Sequence, residues 1–354
     1  MSIRVVELRG NLPESEHRVE GVVVDAEGSI LAATGRPDLV TFFRSSAKPL
    51  QLVPLVERGH ADALGLTPRH LALMCASHNG EPAHIEGARE ILAAAGRTER
   101  DLECGFHFPE DPETAERLHA APREERSPIY NNCSGKHAGM VALAVREGWP
   151  VEGYTRADHP VQQLLVRTIC EIAGVDPERA PLGVDGCSAM NPAMTLIAMA
   201  RSFARLATAR ADGAGGGKPA SAREQAMARI RNAMSAHPDM VAGRKRFCTA
   251  FMNATGGRIM TKTGAEGVQC VSVPARGLGI CVKARDGGAR RATAPALVGW
   301  MASLGLLEPA EVAALSEYAT PVVTNHRGLV TGSLVADEFP GWTREPARLA
   351  LGAA

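Results

Sequence analysis

Two kinds of hydrophobic spacing divide the chain. Over residues 4–33 the apolar residues fall in short runs, "IRVVEL" and then "RVEGVVVDAEGSILAA". The second run breaks at Asp25-Ala26-Glu27-Gly28, a turn-forming group, so the stretch predicts strands joined by a hairpin. The pattern returns late in the chain in "GRIMTKTG", "GVQCVSVPA" and "GLGICVKARDGG", short β-rich runs punctuated by glycine. Between these ends the spacing is helical and predicts helices over 46–58, 84–95, 136–147, 160–173, 189–207 and 222–235. Gly148 and Gly174 stop the third and fourth of them. Two more helices are predicted over 294–304 and 309–317, after the returning strands.

Strands, then helices, then strands again predict an α+β fold. An antiparallel sheet is built from both chain ends and flanked by helices, with a helical subdomain inserted. The expected bounds are 1–44 and 255–354 for the sheet part and 45–254 for the mainly helical part, one catalytic domain overall. There is no βαβ alternation and no internal repeat.

Composition narrows the function classes. The 354 residues are 45% hydrophobic, enough for one large core or two modest ones. Thirty-nine basic and 39 acidic residues cancel, which removes the electrostatic basis for binding nucleic acid or an anionic membrane. The run Arg244-Lys245-Arg246 reads as a solvated helix face, and His17, His60, His119 and His326 read as surface residues. The N-terminus lacks the apolar stretch of a signal peptide, and no window suits a membrane span. Eight cysteines without a CxxC pair read as reduced thiols, so a cytoplasmic location is expected. The glycine-rich stretch 211–221 contains Lys218, but Pro219 follows it and no glycine precedes it at phosphate-loop spacing. It reads as a surface linker.

Chemistry concentrates in a few places. In "RSSAKP", Ser45 and Lys48 stand three apart at a predicted helix start, where a neutral lysine amine can take a serine proton. "ASHNGEP" carries Ser77-His78-Asn79, and "MTKTGAEG" carries Lys262-Thr263-Gly264. The order S-x-x-K, S-x-N, K-T-G is that of the active-site serine β-lactamases and penicillin-binding proteins. It points to acyl transfer from a carbonyl to serine and then to water, with Ser77 able to relay a proton to the departing nitrogen. The fourth place is "NNCSGKHAGM" with "GVDGCSAMN": Cys133, Lys136 and Cys187 offer two sulfurs and a nitrogen, a donor set that suits zinc. Capping by Ser134 and core packing of Cys187 are the plain alternatives. The other six cysteines lie in apolar runs and read as core.

Taken together, "RSSAKPLQ", "CASHNGEP", "NNCSGKHAGM", "DGCSA", "HPDMVAGRKRFCT" and "KTGAEGV" resemble the asparaginase II family, the rhizobial-type class 3 L-asparaginases. The resemblance runs from about Arg4 to Asp286 and more loosely beyond. It implies a serine β-lactamase-like and glutaminase-like fold, and hydrolysis of L-asparagine to L-aspartate and ammonia (EC 3.5.1.1). It implies two Ser-Lys tandems, Ser45 with Lys48 and Ser77 with Lys262. It also implies a modulatory zinc ion on Cys133, Lys136 and Cys187, with Asp185 orienting that cluster. Substrate contacts are expected from Arg44, which would clamp the α-carboxylate, and from Asn79, His137, Asp185, Gly264 and Glu266. A homodimer acting on a small molecule is expected, with no nucleic-acid or membrane partner. One departure stands out: the family commonly has proline after "DGCSA", where this chain has Met190-Asn191-Pro192.

Three other readings compete. A β-lactamase or transpeptidase fits the ordered motifs but not the expected cytoplasmic location. A Cys133 nucleophile with His137 as base leaves the Ser/Lys motifs without a purpose. A zinc-stabilised binding protein without enzymatic activity would need Cys133 and Cys187 in order to fold.

Overall fold

The computed structural model describes residues 1–211 and 219–344, so most of the glycine-rich stretch, Lys218 included, lies outside the described residues, as does the end of the expected sheet part. In chain order the strands are β1 (Ile3–Arg9), β2 (Leu12–Val24), β3 (Ile30–Thr34), β4 (Val40–Phe42), β5 (Leu182–Val184) and β6 (Met190–Thr195). They continue as β7 (Met260–Gly264), β8 (Val268–Val273), β9 (Leu278–Ala284), β10 (Val322–Thr324) and β11 (Val330–Asp337). The fold is α+β. Chain packing divides it into two compact units: Met1–Ser46, Met194–Thr208 and Ala250–Ala354 in one, Ala47–Ala193 and Ala209–Thr249 in the other.

The first unit is built on an antiparallel sheet of order β10-β11-β1-β2-β9-β8-β7, with β3 paired to β2. Both chain ends enter it, because β1 pairs with β11 and β2 with β9. The thirteen-residue β2 turns inward as it proceeds: its first residues are mostly exposed and its last six are buried. Glycines set the spacing of the helices on the two faces. On one, a Cβ at Gly279 would strike the Ala200 carbonyl of the helix Leu196–Thr208. On the other, a Cβ at Gly21 would stand 2.7 Å from the Trp300 ring of the helix Ala294–Ser303. Gly21 and Gly279 lie on opposite faces, since Val24 pairs with Gly279 and Gly21 with Val282.

The second unit is mainly helical. The sequence predicts one helix over 46–58, yet the structure has a 3₁₀ turn (Arg44–Ala47) and two short helices, Lys48–Gln51 and Val53–Glu57. Pro49 and Pro54 each open a new helix because neither has an N–H to continue the old one. The predicted helix 189–207 is corrected as well. Residues Met190–Thr195 form β6, paired with β5, and the helix begins at Leu196. Pro192 in the third position is the local reason. The helices Pro82–Ala94, Ser134–Glu147, Pro160–Ala173 and Ala222–Ala236 match the sequence reading closely, and Gly148 and Gly174 close two of them at φ 70°. Pro68–Met74 and Pro112–Ala120 are helices not anticipated, capped by Thr67 and Asp111. No described helix is long and apolar enough to cross a membrane.

Candidate active site

Two glycines bring the chemistry of the second unit together. In the first turns of the helix Ser134–Glu147, Gly135 and Gly139 share a face one turn apart. A Cβ at Gly135 would lie 2.5 Å from the Leu73 carbonyl oxygen, and one at Gly139 would lie 2.8 Å from the Met74 sulfur. The missing side chains let this helix press against the end of Pro68–Met74. Cys133 and Lys136 therefore come up beside the loop that carries Ser77.

That loop is held by backbone bonds on both sides. Ser77 N–H donates to the Val241 carbonyl (3.0 Å), His78 N–H to Asn132 (3.1 Å) and Asn79 N–H to Ala242 (3.0 Å). The Asn79 side chain donates to Glu81 Oε1 and the Arg244 carbonyl, and its Oδ1 accepts from Arg246 Nη1 at 2.7 Å. Arg246 also pairs with Glu110 and Arg244 with Asp111. Arg244 and Lys245 are exposed, as expected of a solvated run, while Arg244 and Arg246 also brace this loop. A basic tripeptide carries no mark of that role, because its partners lie about 130 to 170 residues away in sequence.

Lys48 is buried, and its Nζ makes three contacts: a short one to the Ala76 carbonyl, 3.0 Å to Ser77 Oγ and 3.2 Å to Cys133 Sγ. Behind the loop, His78 accepts from Gly80 N–H at Nδ1 (3.1 Å), so its Nε2 hydrogen donates to Ser134 Oγ at 3.0 Å. Its ring stacks on His84 at 5.0 Å, and His84 accepts from Glu81 N–H while donating to the Asp239 carbonyl. Burial, then the charges of His84 and Lys48, push His78 well below the usual imidazole range; burial lowers His84 too, against the Asp239 carbonyl bond and the Glu81 and Asp239 charges. Both rings are neutral at ordinary pH.

The thiol pair is polarised. Cys133 donates its S–H to Asn132 Oδ1 (3.1 Å), and Lys136 Nζ lies 2.8 Å from Cys187 Sγ. Interaction with the Cys187 sulfur, added to burial, raises Cys133 well above the ordinary thiol range. The same interaction lowers Cys187; burial opposes this and the Lys136 charge reinforces it. Burial works to lower Lys136, and the two sulfurs outweigh it, leaving the amine more basic than usual. The pairing favours the thiolate form of Cys187 and the ammonium form of Lys136. Cys187 sits on the β5–β6 turn. Asp185 N–H bonds the Ala189 carbonyl, Gly186 N–H bonds Asp185 Oδ1, and Ser188 takes a left-handed φ of 70°. Next to Lys136, His137 is fully buried and its Nδ1 lies 2.7 Å from Tyr154 Oη. Tyr154, fully buried and in a stretch without any motif, is a site neighbour that sequence reasoning missed.

The second unit thus brings together Lys48, Ser77, Cys133, Lys136, His137 and Cys187, with Asn79 and Asp185 on the flanking turns. Arg44, Ser45, Lys262, Gly264 and Glu266 belong to the first unit. There, Arg44 adopts φ 54°, a strained value for a non-glycine residue, directly before the half-buried Ser45. Ser46 Oγ donates to the Lys262 carbonyl (2.9 Å). Lys262 itself is buried on β7, its Nζ donating to the Thr263 carbonyl at 2.8 Å. A Cβ on Gly264 would meet Ser46 Oγ at 3.0 Å and the Phe43 carbonyl at 3.1 Å, so the K-T-G strand closes on the Arg44–Ala47 turn only because position 264 has no side chain. Glu266 is exposed at φ 59° in the β7–β8 turn. All eight cysteines are buried and outside any disulfide, and His17, read as a surface residue, is buried against Asp286 at 2.6 Å. Among the described residues no three His, Cys, Asp or Glu side chains converge as metal ligands.

No curated protein sequence matches the chain. Among solved structures, a β-lactamase from Mycobacterium bovis matches with 16% identity over 85% of this chain and 95% of the other, at a TM-score of 0.35. The protein Mglu in its native form matches with 14% identity over 76% of this chain, at a TM-score of 0.32. The chain spans 56% of the length of Mglu. The family model of L-asparaginase II matches residues 5–336, nearly the whole chain. The six motifs and that match agree: the chain belongs to the L-asparaginase II family, a family of amidohydrolases.

Proposed function

We propose that the protein hydrolyses L-asparagine to L-aspartate and ammonia by Ser-Lys acyl transfer. The observation that carries the reading is the buried Lys48 Nζ at 3.0 Å from Ser77 Oγ, three residues after the Ser45 of the S-x-x-K motif. Ser45 attacks the side-chain amide carbon, and neutral Lys48 accepts its proton. Ser77, hydrogen-bonded to Lys48, passes a proton to the departing nitrogen, which leaves as ammonia. Water then attacks the acyl-serine and releases aspartate. The contacts of Lys48 Nζ to the Ala76 carbonyl, Ser77 Oγ and Cys133 Sγ fix the amine beside the Ser77 hydroxyl. Lys262 on the K-T-G strand supplies positive charge to the same reaction, and Arg44 takes the α-carboxylate.

The reading extends to zinc at Cys133, Lys136 and Cys187. Two sulfurs and a nitrogen suit its chemistry, and the 2.8 Å contact between Lys136 and Cys187 brings two of the three donors together. A bound zinc would tie the β5–β6 turn to the Ser134–Glu147 helix, and Lys136 would have to release its proton to take part. No step of the hydrolysis passes through the metal. A cytoplasmic homodimer is the proposed setting.

Ammonia release from asparagine and from glutamine, measured beside hydrolysis of a chromogenic β-lactam, tests the activity. Absence of ammonia from asparagine would end this reading, and β-lactam turnover alone would favour the lactamase. Ser45→Ala is expected to fold normally and to form no acyl-enzyme, whereas Ser77→Ala still acylates, slowly. Near-normal turnover in Ser45→Ala would make Ser77 the nucleophile instead.

A further inference from the structure

The hydrogen bonds around Tyr154 determine which nitrogen of His137 carries its proton. Tyr154 is held on three sides. Glu103 brackets it by accepting from Gly153 N–H (2.6 Å) and Thr155 Oγ1 (2.8 Å), and Glu103 N–H donates to Tyr154 Oη at 2.9 Å. Gln162 donates to the Tyr154 carbonyl (2.9 Å) and accepts from Met190 N–H (3.0 Å), the first residue after the turn that carries Cys187. The phenol oxygen thus already accepts one hydrogen bond, and its own hydrogen needs an acceptor inside a fully buried pocket. His137 Nδ1, at 2.7 Å, is that acceptor. The reverse arrangement, with Nδ1–H donating, would leave the buried phenol hydrogen unmatched. An imidazole whose Nδ1 accepts must carry its hydrogen on Nε2.

The far nitrogen is where the consequence lies. His137 Nε2 is buried without a hydrogen-bond partner, and Cys187 and Lys136 are among the groups that act on the imidazole electrostatically. We infer that Tyr154 is a positioning residue that locks His137 as the Nε2–H form and bars it from acting as a metal ligand. Its lone pair is committed to Tyr154, so Nε2 carries the hydrogen and has no electron pair to offer a metal. Cys187 keeps Lys136 Nζ as its hydrogen-bond partner. A metal on Cys133, Lys136 and Cys187 would leave the imidazole outside its coordination shell.

Long-range ¹H–¹⁵N spectra of the full chain labelled at histidine nitrogen read this directly, with His137→Gln identifying the resonances. The expected pattern is a pyridine-type Nδ1 and a pyrrole-type Nε2, unchanged when zinc chloride is added. In Tyr154→Phe the two nitrogens are expected to average toward intermediate shifts. A pyrrole-type Nδ1 or an averaged pattern in the unmodified chain would overturn the assignment. So would loss of the Nε2 hydrogen on adding zinc, and so would a Tyr154→Phe spectrum identical to the parent. If Tyr154→Phe fails to fold, the parent spectra with and without zinc still decide. None of these signals depends on asparagine turnover, so the inference can fail while the proposed activity stands, and the reverse.

Discussion

Replacing Gly135 by alanine probes the closest packing in the candidate site. The new methyl carbon would stand 2.5 Å from the Leu73 carbonyl oxygen and 2.8 Å from Leu73 Cγ, where ordinary contact begins near 3.4 Å. The obstructing oxygen is backbone, and it already accepts the Ala76 N–H at 3.0 Å. Ala76 in turn offers its carbonyl to Lys48. Pushing Leu73 away therefore strains the chain of contacts that positions Lys48 beside Ser77. Overpacking of this kind costs about 1–3 kcal/mol, and alanine's better helix propensity returns about 1 kcal/mol. A net loss of up to about 2 kcal/mol is expected for Gly135→Ala. Gly139→Ala is the control, because its methyl would meet the Met74 thioether at 2.8 Å, a side chain able to swing aside. There the two effects nearly cancel, to within about 0.5 kcal/mol. Urea midpoints at constant slope measure the stabilities, and ammonia release measures the chemistry. Asparagine turnover in Gly135→Ala should fall at least about tenfold, equivalent to about 1.4 kcal/mol of transition-state stabilisation. Wild-type midpoint and turnover in Gly135→Ala, or greater damage from Gly139→Ala, would refute the argument.

Other perturbations follow from the same contacts. Asp111 caps the helix Pro112–Ala120 through Thr114 and pairs with Arg244, and these bonds hold its carboxyl below the usual range although burial opposes them. Asp111→Ala should cost about 1–2 kcal/mol at neutral pH. Because the folded carboxyl is the stronger acid, the gap to wild type in urea midpoints should close as pH drops below about 4, the unfolded value, and a pH-independent gap would contradict this. Arg246→Ala should free the Asn79 side chain and lower kcat/KM for asparagine, and Arg246→Lys should rescue little because Arg246 serves both Asn79 and Glu110; full rescue by lysine would show that charge alone matters. Zinc binding followed by calorimetry in two buffers of different ionisation enthalpy should show proton release, since Lys136 starts as an ammonium. Cys187→Ser should abolish that signal and keep the fold; zinc binding without proton release would exclude Lys136 as a ligand.

The antiparallel sheet and its use of both chain ends were legible because β-type runs return with K-T-G on one of them. Helix ends at Gly148 and Gly174 were legible because glycine there takes up a left-handed turn. Periodicity alone misjudged 189–207, where Pro192 and pairing with β5 outweigh the apolar spacing. Strands β10 and β11 were missed because their apolar residues are largely exposed and do not alternate cleanly. At the site, reactive side chains announce themselves by type, so Lys48, Ser77, Cys133, Lys136 and Cys187 could be named in advance. Their supports could not. Asn132 and Arg246 lie inside quoted motifs, but their supporting contacts are made only on folding, and Tyr154 lies in a stretch that no motif marks.

The stacked pair His78 and His84 has a consequence for where the protein can work. Each ring is kept uncharged by the fold, while in the unfolded chain each gains a proton near pH 6.5. Acidification therefore feeds protons to the unfolded chain first, and each histidine withdraws up to about 1.4 kcal/mol of stability per pH unit below that point. An acid boundary is thus written into the scaffold behind the Ser77 loop, separate from whatever protonation state the hydrolysis itself requires. A variant selected for stability in acid would have to replace imidazoles that brace the loop from behind.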